Sequence, residues 1–431
     1  MKQNLQTLLD KNSRKQTILN IVYCIFVFAL LYKLLVVQLF ANYKYGGWAI
    51  SEFLINYQGG FVRRGLTGEI LLFLTKNFGV DIIWTIKLFC LLCFTAVCTF
   101  FVRAFLKKGY SLYILPLCFF LGIHILGGGF WVRKDHLMLL FFIATLLVLN
   151  KMNKSIVKFL IINTLVVIAL LIHEAFAFFV LPVLFLLVFN EYKNKKKLHA
   201  IALSLVFLLP SICVFLLTLH YHGDLKTAQI IWDSWVAAAN LNIAELNKWS
   251  HGALSSIGWT SKWAFEYHFR ANFLSKSMGI LSLFFWIMII PVVYYIVTNA
   301  LLVFRKNESI FTSKDKTALS SVLVFQFVCL LPFFLVLSCD LGRIIFYWIA
   351  SSFAIFLLIP KDTLQHVFPL WFVTIVQRFN TFLITILSPT KTALVFLMMF
   401  VGISAYFCEI ESIYKSTMLY NVLWILSKPF V

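Results

Sequence analysis

The feature that most constrains this chain is a series of long apolar runs, starting with the segment 17–41 and recurring to residue 408. A helix needs roughly 20 apolar residues to cross the hydrocarbon core, and lipid offers no water to an open backbone, so such runs fold as membrane helices. The composition agrees. Charged residues make up 13% of the chain and hydrophobic residues 61%, whereas ordinary soluble domains are about 25% charged. The chain reads as an all-α, polytopic transmembrane bundle forming one integral membrane domain over residues 1–431. The first run carries Lys33 within it and no small-residue cleavage site after it, so it reads as a retained span rather than a signal peptide.

Spans are expected near 17–41, 82–102, 110–128, 136–150, 156–173, 175–190, 200–220, 277–304, 318–338, 344–360, 367–387 and 392–408, about twelve in all (10–13). The segment 66–80 is too short to cross and carries Glu69 and Lys76, so it reads as an interfacial half-helix within a first outer loop, 42–81. With the N-terminus in the cytoplasm, inner loops collect 21 Lys and Arg residues and outer loops 13, of which five lie in the long segment 221–276. Long loops count little in the positive-inside rule, so the N-terminus is placed inside. The formal charge of +20 is spent on this orientation. The basic residues sit in short loops between apolar runs and form no stripe on a folded domain, which excludes a nucleic-acid partner.

That orientation sorts the unusual residues onto one face. YQGGFVRRGLTGE (Tyr57–Glu69), GGGFWVRKDH (Gly127–His136), LIHEAF (Leu171–Phe176) and SCDLGR (Ser338–Arg343) all fall outside. Inner loops carry plain basic punctuation. Arg63, Arg64, Arg133 and Arg343, with Lys134 and His136 beside them, stand on the side where the rule disfavours cations. A guanidinium fork pairs two N–H donors with phosphate oxygens, and adjacent glycines let a backbone approach a ligand, so these residues are candidates to bind an anionic headgroup. The bland alternatives are snorkelling to lipid phosphates and structural pairing with Asp135 and Asp340. Glu52, Asp135, His173, Glu174 and Asp340 are the acid–base candidates, because ionisable groups near membrane depth are costly. A structural ion pair is the alternative for each.

Seven of the twelve tryptophans fall on the outer side, five of them (Trp232, Trp235, Trp249, Trp259 and Trp263) in the loop 221–276. Indoles stack on the apolar faces of sugars, so Trp232, Trp235 and Trp259 are candidates for glycan binding. HEAFA lacks the second histidine of a zinc-protease helix, and Cys90 and Cys93 sit in an apolar run without further ligands at zinc spacing. The nine cysteines read as small buried hydrophobes, and the sequence implies no metal and no cofactor.

Together GGFVRRGL, RKDH, HEAF and D-x-GR resemble bacterial O-antigen or capsule repeat-unit polymerases, within the broader multi-span (GT-C) glycosyltransferases. The resemblance covers most of the chain as a layout of spans, and as residues only these four motifs. It implies location in the bacterial inner membrane, with an extracytoplasmic site that joins glycans linked to polyprenyl pyrophosphate without a nucleotide sugar. Partners would be that lipid-linked oligosaccharide, the bilayer and other membrane proteins of polysaccharide assembly. It implies that Arg63, Arg64, Arg133 and Arg343 hold the pyrophosphate. The broader class places an acidic base in the first outer loop, where Glu52 is the match, without the usual paired acidic motif. The long loop lies mid-chain rather than late, a further departure. A transferase using polyprenyl monophosphate sugars, an O-acyltransferase with His173 as base, and a transporter of lipid-linked glycans are the alternatives. A transporter should show repeated halves and broken helices at the midplane, and no clear repeat is present.

Overall fold

Every regular element among the described residues is helical, and the bundle has a large apolar interior, buried polar and charged side chains within it, and many exposed apolar side chains on its outside. The computed structural model describes residues 17–18, 20–126, 131–153, 155–239, 252–274, 280–303, 312–387, 390–403 and 410–427. Six helices are long and apolar enough to cross a membrane: α1 (Asn20–Gln38), α4 (Ile82–Lys107), α9 (Lys197–His220), α12 (Leu281–Val303, its apolar window Phe284–Val303), α13 (Ser313–Pro332, continuing to Leu337) and α14 (Leu341–Leu358). A seventh is reached if α15 (Lys361–Val367) and α16 (Leu370–Ile386), bent by 101° at their junction, count as one span. Leu205, Val206, Leu209 and Leu216 on α9, like Leu88 and Leu92 on α4, are exposed along continuous stripes. A water-soluble chain rarely tolerates such stripes; lipid accepts them.

The span expectations need correction in two places. Segment 110–128 forms no spanning helix: it holds a 3-10 turn at Leu112–Ile114 and a four-residue helix, α5 (Ile123–Leu126). Pro116 and Gly122 interrupt it, and a Cβ at Gly122 would lie 2.2 Å from the Pro116 carbonyl oxygen. Irregular backbone is tolerated at this depth because Leu117, Cys118, Phe119 and Phe120 are fully buried in protein. The segments expected at 136–150, 156–173 and 175–190 form helices close to those bounds, α6 (Asp135–Lys151), α7 (Ile156–Ile172) and α8 (Phe176–Glu191), each shorter than the six above. Of the last expected span only α17 (Lys391–Phe400) is helical, and 404–409 lie outside the described residues. The last helices among the described residues are α18 (Ile410–Lys415) and α19 (Met418–Ser427), where Asn421 accepts from Lys33 Nζ at 3.0 Å and so ties α19 to α1.

The first outer loop contains α2 (Trp48–Leu54) and the expected half-helix, α3 (Gly65–Phe78). The long segment 221–276 is not a loop throughout. It forms α10 (Leu225–Ala239) and α11 (Ser261–Phe273), and 240–251, with Trp249 and His251, lie outside the described residues. On α10 the residues Ala228, Ile231, Trp232 and Trp235 are buried, a helical i, i+3, i+4, i+7 stripe packed on α2 and α3. At the centre stands α14, buried along nearly its whole length and packed on α13 and α6.

Candidate active site

Antiparallel succession brings one set of helix ends together. α6 begins, α7 ends, α8 begins, α13 ends and α14 begins at the same end of the bundle, and three of the four quoted polar motifs occupy those ends. The remaining motif is the turn that leads into α3. Glu69 on α3 reaches back to accept from the Tyr57 N–H (2.9 Å) and the Gln58 side-chain amide (2.9 Å), and the Arg63 N–H donates to the Tyr221 carbonyl (3.0 Å). Gly65 serves packing rather than ligand approach, since a Cβ there would lie 2.3 Å from the Tyr57 ring. Arg64 precedes it at φ 67°, the one non-glycine residue with positive φ among the described residues. A bulky side chain in that region costs about 1–3 kcal/mol and persists only where surrounding contacts impose it.

Those contacts form a charge cluster of Arg63, Arg64, Arg133, Lys134 and Arg343 with Glu52, Asp135, Glu174 and Asp340. Arg64 donates from Nε to both Glu174 oxygens (3.1 and 2.9 Å) and from Nη2 to Oε1, while Arg63 approaches the same carboxylate at 3.5 Å. Arg343 forks onto Asp135 (3.1, 3.0 and 2.8 Å) and pairs with Asp340 at 3.1 Å. Tyr347 donates its hydroxyl to Asp135. Arg133 Nη1 donates to Glu52 at 2.9 Å, both side chains being 1% exposed. Burial alone would raise the Glu52 carboxyl, but Arg343, Arg133, His173 and Lys134 outweigh it and hold the group well below its ordinary value. Glu174 is likewise raised by burial and pulled well below its usual range by Arg64, His173 and Arg63. Both are carboxylates at neutral pH.

A cavity of about 790 Å³ opens against this cluster. Arg63, Arg64, His173, Glu174, Asp340, Arg343 and Tyr347 line its charged wall. Trp48, Ser256, Trp259, Tyr267 and His268 line an aromatic part, in which Trp259 contacts Trp48 (5.9 Å between ring centroids), Trp263 (4.1 Å) and Tyr267 (5.4 Å). Phe178, Leu330, Phe333, Val336 and Leu337 add an apolar part, built around Phe178 against Phe333 (4.8 Å) where α13 ends in a π-helical turn, Phe333–Leu337. α11 packs across that turn, and Asn272 on it donates to the Ser338 carbonyl at 2.7 Å.

No family model, curated protein or solved structure matches this chain. The meaning of the site therefore rests on its own chemistry.

The structure brings all the charged sequence candidates into one cluster and divides them by access. Arg63, Arg64, His173, Glu174, Asp340 and Arg343 reach the cavity, whereas Glu52, Arg133, Lys134, Asp135 and His136 lie behind its wall. His136 packs on His124 (4.2 Å) and Phe94 (5.0 Å) with both ring nitrogens unpartnered, away from the cavity. His173 accepts from the Ala175 N–H through Nδ1 at 3.1 Å, so its proton sits on Nε2, 3.4 Å from Glu52. With its acceptor nitrogen engaged, it offers no base to the cavity in this arrangement. Trp259 lines the cavity, but Trp232 and Trp235 are fully buried on α10, and Trp235 donates Nε1–H to the Leu54 carbonyl at 2.7 Å. Sequence reasoning missed Tyr347, Tyr267 and Phe178. Tyr347 stands four residues after Arg343, one helical turn along the same face, and that spacing is the signal that could have found it. Cys90 and Cys93 are buried free thiols, and no group of three potential metal-ligating side chains occurs among the described residues.

Proposed function

We propose that the protein is a membrane glycosyltransferase of the polysaccharide-polymerase type, which transfers a glycan from polyprenyl pyrophosphate to a second lipid-linked repeat unit at the extracytoplasmic face. The observation that carries the reading is the union, in one cavity, of an arginine–carboxylate wall, an aromatic part and an apolar part. A lipid-linked glycan presents these three chemistries: phosphate, sugar faces and a hydrocarbon tail.

In this reading the acceptor hydroxyl attacks the anomeric carbon of the donor. The bond from that carbon to the phosphate oxygen breaks, and its electron pair leaves with the pyrophosphate. Arg63 and Arg343 neutralise the charge as it develops, which is where fixed donors accelerate a reaction most. The hydroxyl proton passes to Asp340. Its ion pairs with Arg343 and Arg133 run through Oδ2, which leaves Oδ1 for the acceptor. Glu52, behind the wall and paired with Arg133, is a positioning residue in this scheme rather than the base. Trp48, Trp259 and Tyr267 would orient the sugars, and Phe178 and Phe333 the first isoprene units.

The test is purified protein in nanodiscs supplied with a polyprenyl-pyrophosphate oligosaccharide, with products separated by chain length. A ladder in wild type, lost in Asp340→Asn and Arg63→Ala while both remain folded, is the expected result. A single addition from a monophosphate donor would reassign the protein to the single-sugar transferases. Movement of the glycan lipid between leaflets with no new glycosidic bond would make it a transporter.

A further inference from the structure

Lys134 is fully buried and lies outside the cavity, yet it touches both segments that build the phosphate-facing wall. Its Nζ donates to the Arg64 carbonyl at 3.3 Å and to the Ile172 carbonyl at 3.4 Å, and lies 5.5 Å from the centre of the Phe53 ring. No carboxylate comes within ion-pair distance of it among the described residues, so the ammonium is held by two backbone carbonyls from two separate segments of the site. The first belongs to the residue in the left-handed conformation. The second closes α7, two residues before Glu174, whose carboxylate takes the Arg64 guanidinium.

We infer that Lys134 is a positioning residue for anion binding: by holding the Arg64 and Ile172 carbonyls together it fixes the left-handed turn and aligns the Arg64 guanidinium with Glu174 at the cavity wall. The inference rests on the proposed phosphate-binding role of that wall for its ligand readout. Its structural half stands without that role.

The geometry explains why a lysine stands there. Three rotatable donors on one compact ammonium can serve two carbonyls at different angles, which a planar guanidinium cannot match in a closed space. Burial pushes the Lys134 ammonium down to about 7, with Glu52 and Glu174 raising it and Arg64 and Arg343 lowering it. Its charge is therefore complete below neutrality and fades above. Among the groups around it, Glu52 comes from α2, Arg64 from the turn before α3, Glu174 from the α7–α8 junction and Arg343 from α14.

The experiment is a double-mutant cycle on the full chain in nanodiscs, with inorganic pyrophosphate as probe and quenching of the cavity-lining tryptophans as signal. Lys134→Met should weaken pyrophosphate binding about tenfold. Adding Arg64→Ala to it should cost nothing beyond Arg64→Ala alone, whereas adding Arg63→Ala should multiply the two effects, because residues that act as a unit are non-additive. Multiplicative loss with both arginines would overturn the inference. If wild type binds no pyrophosphate, the ligand reading of the wall fails, and thermal unfolding tests Lys134 independently. Glycine adopts positive φ freely, so Lys134→Met should lower Tm less in an Arg64→Gly background than in wild type. Equal losses in the two backgrounds would sink the positioning role whatever the ligand is.

Discussion

The charge cluster has two halves made of the same residue types. Arg63, Arg64, Glu174, Asp340 and Arg343 face the cavity, and Glu52, Arg133, Lys134 and Asp135 stand behind them, sealed by α2, α6 and α14. The front residues come from the turn before α3, the α7–α8 junction and the start of α14, the rear ones from α2 and the start of α6, and in both halves arginine–carboxylate pairs predominate. They differ in what else each charge could meet. A group on the cavity wall can exchange its partner for a ligand, so its pairing is a resting arrangement. A group behind the wall has only its protein partners. Removing one of them leaves an uncompensated charge in a medium that solvates it poorly. The rear half should therefore govern stability and the front half turnover.

The largest effect to break that comparison is expected behind the wall. Glu52→Ala removes the carboxylate 2.9 Å from the buried Arg133 and should cost about 3–5 kcal/mol of stability, read by thermal unfolding in nanodiscs, with much of the loss recovered when Arg133→Met is added. A folded Glu52→Ala protein of wild-type Tm but no activity would move Glu52 to the catalytic half. On the wall, Arg63→Ala should slow polymer formation about 100-fold, or ~2.7 kcal/mol of transition-state stabilisation, while leaving Tm close to wild type. Loss of stability instead would show that Arg63 belongs with the rear group.

The acid limb should sharpen the same distinction. Glu52 and Glu174 sit below their ordinary values, so their contribution to stability is complete above about pH 4.5 and is lost as the pH falls through and below that value. Each pH unit of depression is worth about 1.4 kcal/mol. Tm should fall on acidification below pH 5, and Glu174→Gln should make the fall shallower. An unchanged slope in that variant would mean that Glu174 is not held below its ordinary value. The smallest effect separates two tryptophans. Trp259→Ala should raise the KM for the glycan by several-fold, about 1 kcal/mol of lost stacking. Trp235→Phe should leave KM unchanged and lower stability by about 1 kcal/mol through the bond to Leu54. A KM effect from Trp235→Phe would show that α10 reaches the glycan.

Much of the site was legible because charge stands out in an apolar chain. Arg63 and Arg64, the Arg133–His136 run, His173 with Glu174, and Asp340 with Arg343 are conspicuous where each unpaired charge would be costly, and the structure gathers all of these segments. Their division was not legible. Whether Arg133 or Arg343 meets the cavity depends on which side of α14 and α2 each ends up, and sequence spacing carries no record of that. The tryptophans divide for a nearer reason. Trp232 and Trp235 fall on an i, i+3, i+4, i+7 stripe with Ala228 and Ile231, a packing pattern, whereas Trp259 lies outside any helix between Gly258 and Thr260.

By itself the sequence determined the solvent of this protein. Lipid offers no hydrogen bonds, so long apolar runs had to become helices. It also determined which residues could not be passive, because a charge in such surroundings must be paired. Segment 110–128 marks the limit of that logic: it is apolar enough to span, yet it folds irregularly because neighbouring helices, not lipid, surround it. Only the tertiary structure decided which polar groups are covered and which line a cavity. Burial belongs to tertiary packing such as that of α6 on α14, and one-dimensional spacing does not encode contacts between residues as distant as Arg64 and Glu174 or Asp135 and Arg343.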